Sequence, residues 1–208
     1  PKERIYVLGL PRTDLLLNPS FLEEKREAFL RGYESLRGKR RILYAPTFRD
    51  DEVENPRIHL DLSRMSEALG KDEVLLIRLH PFVADRVGMV LDEGKWDNII
   101  NVSGYPGVTT LLAAADVLVT DYSSIVFEYC LRGKPMIFYA YDLERFESEG
   151  RSFYRNYEKF VSGPVARTED ELIECLKKND ISRVGRFVEQ NFPFLDGKST
   201  SRLLELIF

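Results

Sequence analysis

Five short runs of uninterrupted apolar residues punctuate the chain: "RILYAP" (41–46), "EVLLIRL" (73–79), "NIINVS" (98–103), "DVLVT" (116–120) and "PMIFYA" (135–140). Each is rich in Val, Ile, Leu or Tyr and continuous rather than alternating, the pattern of strands covered on both faces within a parallel sheet. Between the runs, Leu62, Met65 and Leu69, and then Val108, Leu111, Leu112 and Ala115, keep the i, i+3, i+4 spacing of a helix face. Ile125, Phe127, Glu128 and Leu131 keep it more loosely. Alternation of strand and helix predicts an α/β fold with a doubly wound parallel sheet and helices on both of its faces.

Helix signals continue at both ends. "NPSFLEEKREAFLRGYESL" (18–36) reads as a helix with Ser20 as N-cap and Glu23 at the capping-box spacing. "TEDELIECLKK" offers Thr168 as cap, Glu171 three residues on, and Leu172, Ile173 and Leu176 as its apolar stripe. "ISRVGRFVEQNF" and "STSRLLELIF" follow in helical spacing, so the C-terminal third is expected to be helical. The tract 141–164, rich in Gly, aromatic and charged residues, reads as a surface excursion whose aromatics would suit a lid. With no repeat, low-complexity tract or linker, residues 1–208 are expected to form a single domain.

Composition narrows the partners. The chain is 44% hydrophobic and 31% charged with a net charge of -4, and its isoelectric point near 5.4 argues against a broad nucleic-acid footprint. No apolar run approaches the roughly 20 residues of a membrane-spanning helix, and no signal-peptide pattern opens the chain, which reads as a soluble domain. Cys130 and Cys175 are too few for a disulfide framework and read as buried structural thiols suited to a reducing cytoplasm. The first residue is Pro1, so a longer parent protein is expected.

In a doubly wound sheet, ligands bind beyond the carboxyl ends of the strands, where exposed amides can meet an anion. Four strand ends carry unusual polar residues. "YAPTFRD" delivers Thr47 and Arg49, either for a phosphate or for a local turn in which Arg49 pairs with a neighbouring aspartate. "IRLHPF" places His80 after a buried strand, with Pro81 biasing it to an extended backbone; it serves either a phosphate or the fold. "NVSGYPG" makes a turn from which Tyr105 could stack on a base, beside Ser103, although ordinary turn chemistry explains it as well. "TDYSSIVFE" puts Ser123 and Ser124 at a helix start; a cap accounts for one hydroxyl and leaves the other for a phosphate, with Glu128 a turn further on in reach of ribose hydroxyls. His59 reads as surface decoration. Neither GxxxxGK[ST] nor GxGxxG nor GxSxG occurs, and two histidines with two isolated cysteines make no metal set, so no metal or cofactor is expected.

"YAPTFR", "LIRLHPF", "NVSGYPGVTTLLAAADVLVTDYSSIVFEYCLRGKPMIFY" and "FLDGKSTSRLLELI", with "GLPRTDLLL" ahead of them, resemble the C-terminal domain of the CDP-glycerol glycerophosphotransferases, the teichoic-acid primases and polymerases of Gram-positive bacteria. The resemblance runs over nearly the whole chain in order. It implies a Rossmann-like domain forming the C-terminal, donor-binding half of a GT-B architecture. In the full enzyme an acceptor hydroxyl attacks the glycerol-bearing phosphorus of CDP-glycerol, or of a related CDP-alditol, and CMP leaves. His80 matches the family's active-site histidine; Ser123 and Ser124 would cradle the diphosphate, with Thr47 and Arg49 as secondary contacts and Asp121 and Glu128 shaping the pocket or meeting the ribose. The family's other half supplies the acceptor side and a His-Gly motif. No His-Gly pair occurs in this chain, which is expected to bind donor with little or no transfer by itself. The lipid-linked polyol-phosphate acceptor and peripheral contact with the inner face of the cytoplasmic membrane are expected through that other half. Two rivals remain: the donor domain of a nucleotide-sugar glycosyltransferase or epimerase of the same architecture, and a non-catalytic nucleotide-binding domain.

Overall fold

The computed structural model describes residues 5–49, 54, 57–80, 84, 96–148 and 153–208. Six strands, β1 (Arg40–Tyr44), β2 (Glu73–Ile77), β3 (Ile99–Asn101), β4 (Val117–Thr120), β5 (Met136–Tyr139) and β6 (Val165–Ala166), form one sheet in the order β3-β2-β1-β4-β5-β6. Every neighbouring pair is parallel. The five apolar runs are therefore the five principal strands, and β2, β4 and β5 are buried almost throughout because both faces are covered.

Side chains alternate across the pleat into two cores. Leu43, Leu76, Leu118 and Phe138 face a layer built from α1 (Pro19–Gly32), α3 (Val108–Ala114), α4 (Val126–Tyr129) and α8 (Val184–Asn191). Ile42, Leu75, Val119 and Ile137 face α2 (Leu62–Ala68) and α7 (Glu169–Lys178). On the first face α1 inserts Phe29 and Leu30, which are fully buried; truncating a phenylalanine so placed costs about 3–5 kcal/mol.

Three expectations need correction. The cap of α1 is Asn18, whose Oδ1 accepts from Ser20 N (3.0 Å) and Phe21 N (3.3 Å); Pro19 then takes the first helical position, where its missing N–H costs nothing, and Ser20 already lies inside the helix. The C-terminal third is not wholly helical, because β6 adds a sixth strand too short to show as an apolar run. Gly163 permits that approach: a Cβ there would stand 1.9 Å from the Met136 carbonyl oxygen. The tract 141–164 is more than a surface excursion. It holds α5 (Leu143–Ser148) and α6 (Tyr157–Phe160), buries Leu143, Tyr157 and Val161, and stacks Phe146 on Tyr122 at 3.8 Å between ring centroids. At the far end Thr168 caps α7 through Glu171 N (3.3 Å), while the Glu171 carboxylate accepts from Arg167 N (2.7 Å), a reciprocal arrangement close to the expected one. Helix α9 (Ser199–Ile207) closes the chain. Cys130 and Cys175 are free thiols, and burial pushes the Cys130 thiol up to about 12, far from reactive. Among the described residues no helix is long and apolar enough to cross a membrane.

Candidate functional site: a cationic cleft where the strand order reverses

The chain lays β2 and β3 to one side of β1 and then crosses to place β4, β5 and β6 on the other. Loops leaving β1 and β4 diverge at that reversal, and a crevice opens at the carboxyl ends of the strands. A cleft of about 390 Å³ lies there, and its polar lining is Arg12, Arg78, His80, Ser123, Ser124 and Glu128.

Each is held by the element before it. Arg78 is the first residue beyond β2; its Nη1 donates to the carbonyls of Val102 (3.4 Å), Ser103 (3.3 Å) and Tyr105 (3.0 Å), tying down the turn between β3 and α3. It meets no carboxylate among the described residues, and burial lowers its proton affinity below that of a free arginine. His80, two residues on, is half-buried with its ring tilted against Phe48 at 4.6 Å, and its carbonyl accepts from Ala84 N (3.0 Å). Beyond β4, Ser123 Oγ accepts from Ile125 N (3.3 Å), so one hydroxyl serves the start of α4. Ser124 is exposed at the cleft, and among the described residues only its carbonyl is engaged, accepting from Phe127 N (3.1 Å). Glu128 on α4 is 5% exposed and pairs with Arg12, which reaches in from a 3-10 turn over Pro11–Leu17.

The other residues singled out in the sequence lie apart from this cleft. Arg49 is buried and donates from Nε and Nη2 to both oxygens of Asp142 (2.8 and 2.9 Å), and it lies 2.9 Å from Asp121 Oδ2 in an ion pair. Asp121 Oδ1 accepts from Thr47 N (2.8 Å) and Tyr122 N (2.6 Å), so the carboxylate stitches the ends of β1 and β4 together. Two buried carboxylates share one guanidinium. Burial therefore pushes the deeper Asp121 above its ordinary value despite Arg49, whereas Asp142, also penalised by burial, is held below its ordinary value by the Arg49 hydrogen bonds and charge and by the Tyr122 hydroxyl. Arg49 is thus engaged by two carboxylates within the fold. Tyr105 is half-buried and packs its ring on Phe29 (5.4 Å) and Tyr33 (6.4 Å). Ser103 Oγ is buried and accepts from Leu79 N (2.9 Å), fixing the end of β2 against that of β3.

His59 stacks flat on Tyr141 at 4.4 Å and shares with Thr47 and His80 a depression of about 30 Å³ beside the cleft, a position its sequence context did not reveal. Arg78 was hidden at the end of an apolar run, where its one signal was a charge closing a strand. Arg12 had no local signal, since its partner is 116 residues away. A larger cavity, about 590 Å³, lies between α6 and α8, away from every one of these residues.

Sheet order and cleft together define a Rossmann-like domain, with cations and hydroxyls gathered at the strand edge where such sheets bind ligands. The chain matches, over residues 1–208, the family model of CDP-glycerol:poly(glycerophosphate) glycerophosphotransferases, and it belongs to that family. It is 33% identical over its full length to the teichoic acid ribitol-phosphate polymerase TarK of Staphylococcus aureus, of which it spans 41%. It is 32% identical over its full length to a teichoic acid glycerol-phosphate transferase of the same organism, of which it spans 55%. A variant of the wall teichoic acid polymerase TagF superposes with a TM-score of 0.83 at 31% identity, covering all of this chain and 52% of that one; a TagF structure soaked with CDPG gives 0.81 at 32% identity. The chain thus spans between a quarter and just over half the length of the relatives it matches.

Proposed function

We propose that the chain is the donor-binding half of a glycerophosphotransferase that takes a CDP-alditol, transfers the alditol phosphate to a teichoic-acid-type polymer or primer, and releases CMP. The observation that carries this reading is the cleft at the strand-order reversal, where Arg12, Arg78, His80 and the Ser123 and Ser124 hydroxyls converge. A pyrophosphate there would meet guanidinium and hydroxyl donors in a partly desolvated site. As an acceptor hydroxyl attacks the alditol-bearing phosphorus, the bond to the bridging oxygen breaks and CMP departs with that oxygen. His80 and Arg78 would stabilise the charge that accumulates on it. Thr47 and Asp121 act from behind the cleft, by tying together the strand ends that carry it, and Glu128 is the candidate for the ribose hydroxyls.

The acceptor, the group that takes its proton and any contact with the inner face of the membrane are assigned to the part of the relatives that this chain does not span. A cytoplasmic setting and a lipid-linked polyol-phosphate acceptor belong to the same proposal. TagF soaked with CDPG supports a cytidine donor, and relatives acting on both ribitol and glycerol phosphate leave the alditol open.

Calorimetric titration with CDP-glycerol, CMP and UDP-N-acetylglucosamine tests the proposal. It expects saturable binding that favours the cytidine donor and weakens in His80→Ala and in the Ser123→Ala/Ser124→Ala pair. Preference for the uridine sugar would move the chain to the nucleotide-sugar rival; no binding by a folded sample would remove the donor-site reading.

A further inference from the structure

The 3-10 turn that carries Arg12 lies outside the sheet yet is pinned on both sides. Asp14 accepts from Ser199 N (3.0 Å) and Thr200 N (2.8 Å) at the start of α9. Thr13 is buried and its hydroxyl donates to the Leu10 carbonyl (2.7 Å), while Leu16 packs into a small core with Leu22 and Ala113. Gly9 has φ +89 and lies against Ser199, whose Oγ would stand 2.3 Å from any added Cβ. The backbone around Arg12 is thereby fixed over the cleft. Its side chain, by contrast, is 62% exposed and, among the described residues, is held by one contact, to a Glu128 carboxylate that is 6% exposed. Glu128 has no other hydrogen-bond or ion-pair partner among the described residues.

A nearly buried carboxylate left alone is costly, so Glu128 holds Arg12. The guanidinium is a fork of five donors, and a single contact leaves most of it unengaged. We propose that Arg12 is an exchangeable clasp: when a nucleoside diphosphate enters, the guanidinium turns from Glu128 to the diphosphate, and Glu128 accepts instead from the ribose hydroxyls. This inference rests on the cleft being the donor site, and it adds a positioning and specificity role for Arg12. Each half of the ligand then makes the other half's site available. A ribose alone must displace Arg12 without offering it an anion, and a phosphate alone draws Arg12 away and strands Glu128. Only the joined ligand satisfies both groups.

Binding of cytidine, sodium pyrophosphate and CDP to the wild-type chain and to Arg12→Ala, Arg12→Lys and Glu128→Gln tests this, with melting curves as the folding control. The clasp predicts opposite signs on the two fragments. Arg12→Ala weakens pyrophosphate about tenfold, the worth of one charge-assisted pair, and leaves cytidine equal or tighter, because Glu128 is no longer occupied. Glu128→Gln weakens cytidine and tightens pyrophosphate, because Arg12 is released. Arg12→Lys recovers part of the pyrophosphate loss. If Arg12→Ala weakens both fragments alike, or changes neither while wild type binds CDP, the clasp is overturned and the donor site stands. If wild type binds none of the three, donor site and clasp fall together.

Discussion

Arg49 and Arg78 leave the sheet within a few residues of the ends of neighbouring strands, β1 and β2, and meet opposite fates. Arg49 is buried between two aspartates and lies within 5.1–5.6 Å of the rings of Tyr122, Tyr141 and Phe146. Its charge is neutralised inside the protein. Arg78 is half-buried, bonded among the described residues to carbonyls only, and faces a cleft that also holds His80 and two serines. Its charge is left over. The difference teaches where to look for function along a polar strand edge: among groups whose valence the fold has not already satisfied, rather than among those that are merely most polar or most perturbed.

The contrast can be broken by mutation. Arg49→Ala strands two buried carboxylates and should cost about 3–5 kcal/mol in urea unfolding, the usual penalty for removing one partner of a buried pair. A change below about 1 kcal/mol would mean the network is not structural. His80→Ala should do the reverse, lowering affinity for CDP-glycerol about tenfold while stability stays within about 0.5 kcal/mol of wild type. Tyr122→Phe removes the hydroxyl that donates to Asp142 at 2.9 Å and should cost about 1 kcal/mol with donor affinity intact, which calorimetry and melting together can verify.

The smallest expected effect is that of pH. Asp142 is held below its ordinary value, so its contribution to stability is complete above the ordinary aspartate range and is lost as pH falls through the lower folded value. Asp116, penalised by burial but bonded to Lys134 and the Arg41 amide, behaves in the same way. Asp121 runs the other way: its folded value is raised, so the folded state takes up that proton more readily and mild acidification favours folding. Melting temperature should therefore hold or rise slightly from neutrality to about pH 5 and drop below about pH 4, with a shallower drop in Asp142→Asn. A steep loss already at pH 6 would contradict this assignment.

Much of the fold was legible because it rests on local pattern. The runs at 41–46 and 116–120 are β1 and β4 to within a residue or two, and Thr168 caps the helix it was expected to cap. What escaped was too short or too close a contest: β6 has two residues, and Asn18 displaces Ser20 because Pro19 starts the helix earlier. At the site, position along the strand edge was readable. His80, Ser123, Ser124 and Glu128 do share one cleft. The side to which each chain turns after leaving the sheet was not readable, because it depends on partners distant in sequence: Asp142 lies 93 residues beyond Arg49, and Arg12 lies 116 before Glu128. Tyr105 likewise turns inward because α1 brings Phe29 and Tyr33 beside it.

The most direct test of the central claim is amide chemical-shift mapping of the chain as CDP-glycerol is added. The account predicts that the largest changes fall on Arg12, Arg78, His80, Ser123, Ser124 and Ile125, with Arg49 and Asp142 little moved. Changes centred instead on the larger cavity between Glu158 and Gln190, with the strand edge silent, would contradict it.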